Sequence, residues 1–96
     1  MSPKNKIKLN FLRKKLDNID IQLLKIIKER TEIIKKVIKL KSYKNEIVDK
    51  KRISTILKKI RKESLKRNID PKITTRIWKN MIWSYIDFEK RNFKKK

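Results

Sequence analysis

The sequence predicts an all-α fold: a three-helix chain with one very long N-terminal helix, paired with a second copy of itself in an intertwined homodimeric helical bundle. Three observations carry this reading. Apolar residues recur at spacings of three and four along most of the chain, the mark of amphipathic helices. There is no Gly and there are only two Pro, so tight hairpin turns lack their usual residue and long helices joined by polar loops are favoured. The 96 residues suit one small domain, whose modest core gains stability from pairing.

The first helix is expected from about Lys6 to Ser42. Its stripe includes Leu12, Leu16, Ile19, Leu23, Ile26, Ile27, Ile33, Ile34 and Val37. At about 1.5 Å per residue it would be roughly 50 Å long. A helix that long in so short a chain needs a partner along its length, and a second copy is the simplest one. Ser42 to Val48 reads as a polar break. Asp49 is placed to cap a second helix bearing Ile53, Ile56, Leu57, Ile60 and Leu65. After a short connection over Lys66 to Ile69, Asp70-Pro71 is the sharpest local signal: a capping residue followed by Pro at the first helical position. The third helix carries Ile73, Ile77, Trp78, Met81, Ile82, Tyr85, Ile86 and Phe88. The expected organisation is an N-terminal extension over 1–8, a helical domain over 9–90 and a frayed basic tail over 91–96.

Composition narrows the chemistry. With no Cys there are no disulfides, thiolate metal sites or cysteine nucleophile, and with no His the commonest general base and metal ligand is missing. An enzyme built from this chain must work with Arg, Lys, carboxylates and hydroxyls, and no metal site is expected. Nothing at Met1 to Lys8 reads as a signal peptide, and no run approaches membrane-spanning length. A cytoplasmic location and no membrane partner are the expectation. The net charge of +21 attracts polyanions in general. Yet 24 of the 31 basic residues are Lys, spread along the whole chain, which fits a solvated coat. No specific nucleic-acid partner is expected.

The informative cations interrupt apolar stripes. Arg30 sits between Ile26 and Ile33, and Lys41 follows eleven residues later. Eleven steps of about 100° make almost three full turns, so the two share one face and invite an anion. Arg13 is 17 residues before Arg30, roughly 25 Å away. It cannot reach a small ligand held by Arg30 and Lys41 of its own chain, whereas a partner's Arg13 could in an antiparallel pair. The plain alternative is that each cation pairs with a local carboxylate or snorkels. Asp49 and Arg52 open the second helix, where an ordinary cap with a surface Arg is the alternative. On the third helix Trp78, Ile82, Tyr85 and Glu89 share one face. Burial disfavours the charged form of a carboxyl and can make it a proton donor. Core packing for Tyr85 and a last-turn surface charge for Glu89 are the alternatives.

These residues resemble a known family. Leu12-Arg13, Ile19-Asp20 and Leu23-Leu24, then Glu29-Arg30 and Lys41, look like the first helix of the all-helical chorismate mutases. Ile47-Val48-Asp49-Lys50-Lys51-Arg52 looks like the start of that family's second helix. Asn68-Ile69-Asp70-Pro71 with Ile77-Trp78 and Met81-Ile82 is similar to its third. The resemblance covers about residues 9 to 90.

It implies an isomerase of phenylalanine and tyrosine biosynthesis that rearranges chorismate to prephenate, with no cofactor. It also implies two equivalent pockets, each taking Arg13 from the partner chain. By analogy Arg13 and Arg30 grip the two substrate carboxylates, and Lys41 donates to the ether oxygen of the breaking bond. Asp49 and Arg52 border the ring and its hydroxyl, and Glu89 is a second donor to the ether oxygen. Such a reaction needs a folded near-attack conformer and stabilisation of developing charge, with no nucleophile or metal. Bidentate Arg suits a dicarboxylate. Two positions depart from the mutase pattern. Ile53 stands where many members have Glu, and Tyr85 where a small hydroxylated residue is common. Both look like the isochorismate pyruvate-lyase branch of the same fold, while Asp49 looks more like the mutases. A basic helical nucleic-acid binder is the alternative from a different class.

Overall fold

In the computed structural model, which describes residues 1–94, the chain forms α1 (Pro3–Leu40), a single 3-10 turn (Lys44–Glu46), α2 (Lys50–Lys66) and α3 (Pro71–Asn92). Among the described residues there is no strand. The all-α, three-helix expectation holds.

α1 starts earlier than its stripe suggests. Ser2 caps it, accepting from the Asn5 amide through Oγ at 3.2 Å, and Pro3 occupies the first turn, where its missing N–H costs nothing. Residues 3–8, read as an extension, are the first turns of the helix. The chain divides into two compact units, Met1–Ile33 and Ile34 onward. In the first unit the expected stripe faces solvent: Leu12, Leu16, Ile19, Leu23, Ile26, Ile27 and Ile33 are between 44% and 60% exposed.

The second unit has a closed core. Ile47, Ile82 and Ile86 are buried together, with Val48, Ile53, Ile56, Leu57 and Phe93 packed around them. Ile47 corrects the reading of 42–48 as merely polar, because at 3% exposed it is the most buried of these side chains. Glu46 orders the segment before it. Its Oε1 accepts from the Ser42 amide at 3.0 Å and the Tyr43 amide at 2.7 Å, satisfying donors that a helix would otherwise engage.

Both expected caps form. Asp49 Oδ1 accepts from the Arg52 amide at 2.9 Å, and Asp70 Oδ1 from the Lys72 amide at 2.9 Å. Between α2 and α3 the chain turns without Gly. Asn68 takes φ 56°, and the Ile69 amide bonds back to the Ser64 carbonyl while the Asn68 amide bonds to that of Leu65. That pattern is a Schellman closure with Asn in the left-handed position. It brings Ser64 and Thr74 into a buried hydroxyl pair, 2.7 Å apart.

Three apolar positions do not join the core. Leu65 is 56% exposed, because it falls five residues after Ile60 and so leaves the three-and-four spacing. Ile73 and Ile77 are exposed as well, since α2 covers only the side of α3 that carries Thr74, Ile82, Ile86 and Glu89. At the other end, the tail expected from Arg91 starts later. α3 runs through Asn92, and Phe93 packs on the core. Lys95 and Lys96, the end of that tail, lie outside the described residues.

Candidate active site

Lys41 and Glu89, two of the eight singled-out residues, meet through their side chains. Lys41, just past the end of α1, donates from Nζ to Glu89 Oε1 at 3.1 Å. The side chains are 20% and 7% exposed. They are 48 residues apart in sequence, so only the packing of α3 beside the end of α1 joins them. A carboxylate this buried is tolerated because its charge is matched and hydrogen-bonded. It is therefore no last-turn surface charge. The pair places a cation and a carboxyl where both could act on one ligand atom.

Asp49 and Arg52 are both exposed at the start of α2. The carboxylate of Asp49 accepts the cap hydrogen bond through Oδ1. Ile53, half-buried, packs on Ile47, Ile82 and Ile86, so its side chain belongs to the core. Tyr85 is half-buried on α3, one turn before Glu89. Arg13 and Arg30 belong to the N-terminal unit, where Arg13 is exposed and Arg30 half-buried. Among the described residues no group of His, Cys, Asp or Glu could hold a metal ion.

Away from these residues a cleft of about 490 Å³ opens between α2 and α3, lined by Lys59, Ile60, Glu63, Ser64, Arg67, Ile69, Thr74 and Trp78. None of the eight candidate residues lines it. Its polar floor escaped the sequence reading, although a signal existed. Ser64 sits four residues after Ile60, and Thr74 four before Trp78, so each hydroxyl occupies an apolar-stripe position. At its rim the Arg67 guanidinium hydrogen-bonds Glu63 and, with the charge of Lys66, holds that carboxyl below its ordinary range.

The fold and site define a class: an all-helical chain whose C-terminal unit holds a buried Lys–Glu pair. Comparison with protein families makes this specific. The family model for chorismate mutase type II matches residues 12–90, and the chain belongs to that family. No curated protein matches the chain, and no solved structure does.

Proposed function

We propose that the chain is a chorismate mutase acting as an intertwined homodimer, with residues 9–90 as the catalytic domain. The observation that carries this reading is the Lys41–Glu89 pair, since family resemblance assigns both positions to the ether oxygen of the breaking bond. The exposed apolar stripe of residues 12–33 supports the dimer, because such a stripe on a monomer calls for a covering partner.

In this mechanism the partner's Arg13 and the chain's own Arg30 hold the two carboxylates and fold the enolpyruvyl arm over the ring. Asp49 and Arg52 border the ring hydroxyl. One C–O bond breaks as one C–C bond forms, within one molecule and without net proton transfer. Negative charge gathers on the ether oxygen, and Lys41 Nζ turns from Glu89 to that oxygen and stabilises it. Glu89 adds a hydrogen bond only when it carries a proton, since as a carboxylate it would repel the same charge. Among the described residues no helix is long and apolar enough to cross a membrane.

Ile53 and Tyr85 favour a second reading, an isochorismate pyruvate-lyase using the same pocket. With Ile53 turned into the core, the ring hydroxyl lacks one carboxylate partner. The test is the ultraviolet loss of chorismate with purified protein, with isochorismate in parallel and Arg30→Ala as control. Arg30-dependent formation of prephenate is the expected result. Release of pyruvate and salicylate from isochorismate alone would move the activity to the lyase.

A further inference from the structure

We infer that the outer face of α2 is a sequence-independent binding surface for duplex nucleic acid, separate from the candidate active site. α2 carries eight cations and one carboxylate in 17 residues. Six of them, Lys51, Lys58, Lys59, Arg61, Lys62 and Lys66, fall within an arc of about 160° at 100° per residue. All six are exposed. The one carboxylate, Glu63, lies outside that arc and is held by Arg67.

Like charges stacked at i and i+4, as in Lys58, Lys62 and Lys66, destabilise a helix. Elsewhere in the described helices such stacking occurs only as pairs, as in Lys4 with Lys8, Lys35 with Lys39 and Lys72 with Arg76. α1 intersperses Asp17, Asp20, Glu29 and Glu32 among its cations, and Lys28 pairs with Glu32 at 2.8 Å. Among the described helices only α2 stacks three cations in register, on a face that holds no carboxylate.

The shape of the face selects the polyanion. From Lys51 to Lys66 it runs about 22 Å, along which a duplex presents roughly a dozen phosphates. It holds no aromatic side chain, so it offers charge to a backbone and no stacking platform for single strands. A membrane surface fits less well. A basic amphipathic helix binds lipid by burying its apolar face, and here Ile53, Ile56 and Leu57 are already packed on the core.

The test measures anisotropy of a labelled duplex of about 20 base pairs, from about 50 to 200 mM KCl. It compares wild type with Lys58→Gln/Lys62→Gln/Lys66→Gln and with Lys4→Gln/Lys6→Gln/Lys8→Gln, which removes equal charge from α1. Circular dichroism verifies that both variants keep their helices. The expected result is binding that weakens steeply with salt. The α2 variant should lose about tenfold or more, with the salt slope reduced by about two to three, and the α1 variant less than about threefold. Equal losses in the two variants, or no wild-type binding at the lowest salt, would overturn the proposal. So would tighter, α2-dependent binding to vesicles of anionic phospholipid than to the duplex.

Discussion

The two units use the same residue types in the same helical pattern and reach opposite states. Residues 1–33 hold a row of Leu and Ile at three-and-four spacing, and the row stands half-exposed. The unit from Ile34 onward closes Ile47, Ile82 and Ile86 into a core with α2 and α3. Hydrophobic periodicity therefore tells where a helix has a face but not what covers it. The second unit covers its face with its own chain. The first leaves its face uncovered by its own chain, and we propose that a second copy covers it.

The largest expected effect tests whether the units complete each other across two chains. Arg13→Ala and Lys41→Ala should each lower kcat/KM by roughly a hundredfold or more. Mixed after dissociation, the two inactive variants should regain about a quarter of wild-type activity, because half the dimers then hold one intact site. Mixing without recovery, in dimers shown to exchange, would remove Arg13 from the partner's pocket.

Next come the two apolar sets themselves. Leu23→Asp should halve the particle mass in sedimentation. Ile82→Ala should keep the dimer and lower unfolding free energy by about 2–5 kcal/mol. If Leu23→Asp leaves the mass unchanged, the exposed stripe is not the dimer seam.

The pair at the site comes next. Glu89→Gln, which can donate to the ether oxygen without charge, should keep kcat/KM within about tenfold of wild type, whereas Glu89→Ala should lower it further. Equal rates in Glu89→Ala and wild type would leave Glu89 no role at the ether oxygen.

Smaller effects lie in the second unit's joints. Asn68→Ala, at φ 56°, should cost about 1–2 kcal/mol in denaturant melts, since a Cβ opposes that backbone region. Smallest is the Glu63–Arg67 contact. The folded chain holds the Glu63 carboxyl below its ordinary range. Its contribution is therefore present above that range and fades on acidification through it. Glu63→Gln should lower stability slightly at neutral pH and leave it unchanged at acid pH, so the loss on acidification is smaller.

Much of this was legible in the sequence. The caps at Asp49 and Asp70 were visible because they are local, each satisfied within three residues. The face holding Trp78, Ile82, Tyr85 and Glu89 followed from helical geometry alone. What was not legible depends on contacts between distant segments. Ile47 and Val48 stand between polar residues in a segment without helical periodicity, so nothing local marks Ile47 as the most buried core residue. Ser64 and Thr74 are unremarkable singly and become buried only because each meets the other. The meeting of Lys41 with Glu89 was implied only by resemblance, since neither residue's neighbours point to the other.

That meeting also orders events in time. The α2–α3 hairpin closes through contacts such as Ser64 to Thr74, ten residues apart, whereas Lys41 reaches Glu89 across 48. Short loops close early and long ones late. The clasp that forms the reactive pair should therefore be made after the hairpin and lost before it. In a denaturant titration, catalysis should fade while most of the helical signal still stands.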